Sequence, residues 1–295
     1  MCFLSCFMLI MACETGEFYA ETNDQITQDI GETTLFNDCV LTEASGEIPS
    51  DLYAVTSPVA TNEYGQFGKV MKVYGITLVA KQDVSDAFLL AVGQAIVDMF
   101  PSDASDLSQQ QEILRNLHQY NALIPVFAGG EAGFTPQDID TIPGQHSICD
   151  IIMSGVDGGG QVMEVVEHIL HIVSNVGLHY TYPSQWGLSN TSDLYQVMQQ
   201  AKQNGVYNTT DYQEIPEEDV LQRVLLQEFA YWVITSHWDI QTLYGPNDGF
   251  EWSATTPFAL QSELPSVQTL LDTTIATTMA TPRASTLVEL EAHGE

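Results

Sequence analysis

The sequence predicts an α+β fold, a small sheet with helices gathered in the C-terminal half. Three observations carry this. Val70–Ala80 and Ala122–Ala128 are short runs rich in β-branched and apolar residues, as strands are. Val162–Val176 and Glu217–His237 are long segments with helical periodicity. The order strand, helix, strand, then helices segregates the two kinds of element, which suits an α+β architecture.

The elements follow from local chemistry. Asp83 or Ser85 can cap a helix over Ala87–Phe100, which Pro101 closes. A second helix is expected around Gln109–His118. Pro125 cannot donate to a ladder, so Ala122–Ala128 reads as an edge strand. Residues 129–160 are glycine-rich and read as loop. Thr181–Gly187 also reads as loop. Ser192–Gln203 is a short helix ended by Asn204 and Gly205, and a further helix is expected near Val267–Leu271.

The chain has 295 residues with 39 acids against 7 bases, a formal charge of −32, and 44% of it is hydrophobic. That apolar share is enough for a sizeable core. The charge excludes nucleic acid and anionic membrane surfaces as partners, because both recruit basic patches. Ten of the acids fall within residues 14–51, where there is no base. Residues 14–67 therefore read as an acidic, self-repelling tether. An ordered domain is expected over 68–280, with a tail over 281–295.

Residues 3–12 form an apolar run too short for a bilayer span, which takes roughly 20 residues. The run fits the apolar region of a secretory signal. Ile10-Met11-Ala12-Cys13 resembles a bacterial lipobox, which implies a secreted or cell-envelope protein held to the membrane only through lipid on Cys13. Removal of the signal and lipidation of Cys13 would leave Cys39 and Cys149, either as a disulfide or as two buried thiols.

The chemistry concentrates on residues 161–176. At the helical pitch, Glu164, Glu167, His168, His171 and Asn175 share an arc of about 100°. Val162, Val166, Ile169, Val173 and Val176 lie opposite. Glu167 and His171 are four residues apart, so both can approach one point, and carboxylate and imidazole both ligate divalent ions. The alternative is an amphipathic helix whose polar face meets water. On the second long helix, Glu228 shares a face with Leu221, Val224, Leu225, Tyr231, Trp232 and Thr235, while Gln227 lies roughly opposite. A carboxylate in an apolar stripe must pair, protonate or bind a cation. His179 is an alternative ligand. Tyr207, Tyr212 and Tyr231 are either oxyanion donors or packing groups. His237 and Asp239 read as surface or capping residues, and Asp157 to Gly160 as a flexible turn.

A ligand-bearing helix followed 50–60 residues later by Glu228-Phe229-Ala230 resembles the gluzincin arrangement of the anthrax lethal factor-type metallopeptidase domain. The chain is also similar to secreted proteins of marine bacteria that carry an E-E-[IL]-x-H helix with a glycine turn and a later E-Y-x-Y-W helix. Glu167–His171 with Gly177, and Glu228–Trp232, match those positions. The resemblance implies a zincin-like fold over about residues 68–275, with zinc held by Glu167, His171 and Glu228. It further implies metal-activated water acting on a peptide or protein. His168 stands where the family places its general-base Glu, so His168 or Glu164 is the implied base. The contrasting expectation is a non-catalytic cell-surface binding module with a weak or absent metal site.

Overall fold

A mixed five-stranded sheet, ordered β1-β2-β3-β4-β5, organises the chain in a computed structural model that describes residues 39–156, 160–246 and 250–294. The strands are β1 (Val59–Tyr64), β2 (Phe67–Val73), β3 (Ile76–Ala80), β4 (Leu123–Phe127) and β5 (Ile152–Met153). The first three pair antiparallel, whereas β3-β4 and β4-β5 are parallel. The seven principal helices are α1 (Asp86–Met99), α2 (Leu107–Gln119), α3 (Gln161–Ile172), α4 (Asp193–Asn204), α5 (Glu218–His237), α6 (Pro265–Thr273) and α7 (Ala284–Gly294). The expected α+β class holds at this level.

Val70–Ala80, expected as one strand, is a hairpin. Tyr74 (φ 51°) and Gly75 (φ 91°) turn the chain, and Val73 pairs with Ile76. Two successive positive φ values are what a two-residue hairpin turn with right-handed strand twist requires. The apolar pattern runs through the turn, so periodicity alone does not reveal it.

Pro125 does not mark an edge, since β4 lies between β3 and β5. Its nitrogen shares the side of Leu123 N–H, which donates to the Ser147 carbonyl. On that side β5 pairs only with Val126 and Phe127, so Pro125 falls where no partner strand needs a donor.

Helix caps behave as the sequence suggests. Ser85 Oγ accepts from Phe88 N–H, Asp106 Oδ1 from Gln109 N–H, and Ser192 Oγ from Tyr195 N–H. α1, α2 and α3 share the main core with the sheet through Phe88, Val92, Ile113, Ile124, Val166 and Ile169. Phe67, Val79, Leu123 and Phe127 form a smaller cluster on alternate strand positions.

The tether expected over 14–67 is packed structure from residue 39 onward, and the residues before it, Cys13 included, lie outside the described ones. Cys39 and Cys149 are joined as a disulfide. Val40 bridges Ile148, Val55 bridges Val73, Leu52 is buried, and β1 extends the sheet. A few anchors suffice because β1 is an exposed edge strand that needs little apolar surface.

The expected tail is likewise α7, which buries Leu287 and Leu290 against α1 and α3. Arg283 grips Asp98 of α1 at 2.8 Å from both Nε and Nη2. Val162–Val176 was expected to end before Gly177, but the helix continues through a wider turn, Val173–Leu178, into His179–Thr181. A Cβ on Gly177 would come within 2.7 Å of Ile113 Cγ2, so this glycine serves close helix approach rather than termination.

The disulfide closes a loop with a sequence separation of 110 residues. Replacing both cysteines (Cys39→Ser with Cys149→Ser) is expected to cost about 2–5 kcal/mol. Urea unfolding followed by circular dichroism measures this, and an unchanged midpoint would contradict the anchoring role.

Candidate metal centre

α3 starts against the sheet edge through side chains. Gln161 donates to the Met153 carbonyl (2.8 Å), and Glu164 Oε1 accepts Met153 N–H (2.8 Å). Both Met153 groups face away from β4, since Ser154 N–H donates to Phe127 on the other side. Two α3 side chains thus take the place of a further strand on β5. This fixes the rotation of α3 and points its polar stripe inward, toward α5 and the 149–151 segment.

The stripe is therefore not a wet face. His171 is wholly buried and Asn175 is 2% exposed. Glu164 and His168 side chains are each 12% exposed. α5 closes over the stripe, and Glu228 is 13% exposed by side chain.

The donor atoms of Glu167, His171 and Glu228 lie within 4.8 Å of one another. The three residues expected to converge do converge. A second group, Asp150, His168 and His171, meets the same criterion and shares the imidazole of His171.

His171 is the hinge between the two groups. Its Nδ1 lies 3.0 Å from Asp150 Oδ2 and 3.1 Å from the Gln227 amide. Its Nε2 lies 3.5 Å from Glu228 Oε2 and has no hydrogen bond. A proton on Nδ1 shared with Asp150 leaves the Nε2 lone pair for a cation, while the Gln227 N–H, whose own Oε1 accepts from Asn175, competes for Nδ1 as an acceptor. A buried nitrogen without a hydrogen bond, facing carboxylates, fits a metal ligand by its chemistry.

The electrostatics agree with a site short of positive charge. Burial and then the Glu228 carboxylate push the Glu167 carboxyl up to about 8. Burial disfavours a charged His171, but Glu228 and Asp150 outweigh it and raise its proton affinity well above the usual imidazole value. Burial likewise opposes charge on His168, yet Asp150, Glu164 and Glu167 raise it to about 9. Burial would raise Asp150, but His168, His171 and the Ile151 N–H bring it below the usual carboxyl range. Protons hold this cluster together wherever a metal does not.

The expected base residues sit beside the ligand group. His168 Nε2 faces Asp150 Oδ2 at 3.6 Å and its Nδ1 faces Glu164 Oε1 at 3.3 Å. Glu164 and Glu167 both line an open cleft of about 550 Å³, together with Tyr231, Trp232, Tyr244 and Glu291.

Each tyrosine weighed as an oxyanion donor has an acceptor already. Tyr207 donates to the Leu225 carbonyl (3.3 Å) and Tyr212 to Glu251 Oε1 (2.7 Å), while Tyr231 hydrogen-bonds Glu167. His179 is not in the site: its Nδ1 accepts Leu188 N–H (3.2 Å). Residues 157–159 of the Asp157 to Gly160 turn lie outside the described residues.

Two acidic partners escape the sequence reading. Asp150 follows a disulfide cysteine in a loop, where no periodicity marks a side chain's direction. Glu251 accepts from Tyr212 and from Trp232 Nε1 (3.0 Å), and its signal is equally absent. Gln227, placed opposite Glu228 on the helical wheel, also faces α3, and Asn175 donates to it at 2.5 Å. From Val224 to Ser236 nearly every residue of α5 is buried, so this helix has no dry and wet side to tell apart.

Two predictions follow from this geometry. Co²⁺ binding by stripped protein, read from visible absorption, should be lost in His171→Ala and weakened about 10–100-fold in Asp150→Asn at unchanged stoichiometry. Full retention in His171→Ala would disprove the site. The second concerns His179, 4% exposed, whose burial lowers it from 6.5 to about 4. The unfolded chain binds the extra proton between these values, so this stability is complete above pH 6.5 and drains away as pH falls toward 4. The loss is on the order of 3 kcal/mol. In His179→Asn the plot of unfolding free energy against pH should flatten in that window, and an unchanged slope would contradict the assignment. Set beside known proteins, the chain matches no family model, no curated protein and no solved structure.

Proposed function

We propose that the chain is a zincin-like metallopeptidase acting outside the cytoplasm, with zinc held by Glu167, His171 and Glu228. The observation that carries the reading is the convergence of those donors around His171 Nε2, a buried nitrogen without a hydrogen bond. Two ligands four apart on one helix and a third from a later helix make a three-ligand set, the number that leaves a catalytic zinc an open position. A zinc ion bound there would supply Lewis acidity toward a substrate carbonyl.

The protein's own groups have distinct tasks in this reading. Asp150 holds the Nδ1 proton of His171 and so aims Nε2. Tyr231 hydrogen-bonds Glu167 and steadies it. Glu164 lines the cleft and takes the proton-accepting role. His168, held charged between Asp150 and Glu164, supports Glu164 instead of serving as base. Two carboxylate ligands donate more negative charge than the usual two imidazoles with one carboxylate, which moderates the zinc's acidity.

The Cys39–Cys149 disulfide supports an oxidising compartment. A lipid anchor at Cys13 belongs to the same proposal.

One observation favours a second reading, a cell-surface module that binds metal without hydrolysis. The position where the gluzincin pattern has a carboxylate base holds His168, already engaged by two acids.

Zinc content by atomic emission and peptide cleavage by mass spectrometry separate the two readings. The peptidase predicts one zinc per chain and cleavage that is lost with a chelator and in Glu228→Gln. Stoichiometric zinc with no cleavage of a broad peptide library would establish the binding module.

A further inference from the structure

His171 belongs to two donor sets, and the peptidase reading uses only one of them. The other is Asp150, His168 and His171, whose donor atoms also lie within 4.8 Å of one another. Asp150 Oδ2 is 3.0 Å from His171 Nδ1 and 3.6 Å from His168 Nε2. Donors that each sit about 2.1 Å from a shared ion are about 3–3.5 Å apart, so these spacings suit one ion with little movement.

The far side of each donor is already held. His168 Nδ1 faces Glu164 Oε1 at 3.3 Å, and His171 Nε2 faces Glu228 Oε2 at 3.5 Å. Asp150 Oδ1 accepts the Ile151 N–H at 2.8 Å. A carboxylate behind a ligating imidazole orients the nitrogen in front. The Gln227 amide, 3.1 Å from His171 Nδ1, favours the tautomer with its lone pair there, which is the tautomer a metal at Nδ1 requires. Asp150 also lines a cavity of about 190 Å³ with Val40, Ile139, His146 and Ile148, and that cavity shares no lining residue with the cleft at Glu167.

Donor chemistry separates the two sets. Glu167, His171 and Glu228 offer one nitrogen and two carboxylates, whereas Asp150, His168 and His171 offer two nitrogens and one carboxylate. Cu²⁺ favours imidazole and takes mixed nitrogen and oxygen ligands. A neutral imidazole has one lone pair for a metal, so His171 serves one set at a time.

We propose that Asp150, His168 and His171 form a second metal position, which takes Cu²⁺ in preference to the first set and removes His171 from it. The ion replaces the protons that otherwise lie between Asp150 and the two imidazoles. This goes beyond the peptidase reading, which needs only Glu167, His171 and Glu228.

The test titrates the metal-stripped full chain with Cu²⁺ at neutral pH. Calorimetry gives affinity and stoichiometry, and electron paramagnetic resonance counts the imidazole nitrogens on copper. The unaltered chain is expected to hold one tight Cu²⁺ through two imidazoles, a reading that depends on no variant. His168→Gln should weaken binding by about tenfold or more and leave at most one imidazole on the metal. Glu167→Gln should keep the affinity within about threefold and retain both imidazoles. Circular dichroism checks that both variants fold. One imidazole in the unaltered chain, or weakening in Glu167→Gln and not in His168→Gln, would put copper in the first set and overturn the proposal. No tight copper would also overturn it. A second copper of equal affinity, lost in Glu167→Gln, would overturn the exclusion between the sets. None of these outcomes involves zinc or peptide cleavage, so failure of the peptidase reading is distinguished from failure of this one.

Discussion

Carboxylates held near one another inside a protein must be compensated by protons or cations. Two bare carboxylates about 4 Å apart repel by about 4 kcal/mol at the effective dielectric of partly buried sites. Here Asp150, Glu164, Glu167 and Glu228 approach one another around two imidazoles. The ring of His171 lies between Asp150 on one nitrogen and Glu228 on the other, and every other feature of the centre is arranged around it.

The fold brings those acids in from three directions. α3 supplies Glu164, Glu167 and both imidazoles, and its rotation is set where Gln161 and Glu164 bond to Met153 of the last strand. The 149–150 segment supplies Asp150, tied by the Cys149 disulfide to residue 39. α5 supplies Glu228 and the Gln227 amide, and α7 covers the start of α3. Parts far apart in sequence, from Asp150 to Glu228, thus meet on one imidazole.

What could be read from the sequence divides along a physical line. The stripe on α3 was legible because helical neighbours four apart converge whatever the tertiary context, and Glu228 was legible as a carboxylate among apolar residues. Asp150, Glu251 and Glu291 depend on how loops or distant helices fold back, which no local period records. Gln227 was misplaced because a helix buried on nearly every side defeats the division into inner and outer faces. The strand over Val70–Ala80 was found but its turn was not, because Tyr74 continues the apolar run although its backbone reverses.

The charge of −32 is compensated differently in the scaffold and at the centre. The ion pairs of Lys and Arg lie away from the centre: Lys69 pairs with Asp86, Lys81 with Asp138, and Arg283 with Asp98. At the centre the compensating groups are imidazoles, together with the proton that Glu167 retains up to about 8. A permanent cation there would have neutralised the carboxylates once and for all. The protons on the imidazoles and on Glu167 are exchangeable, so a divalent ion could displace them without breaking a salt bridge to Lys or Arg. A centre compensated in this way has the composition to take up a divalent cation in exchange for protons.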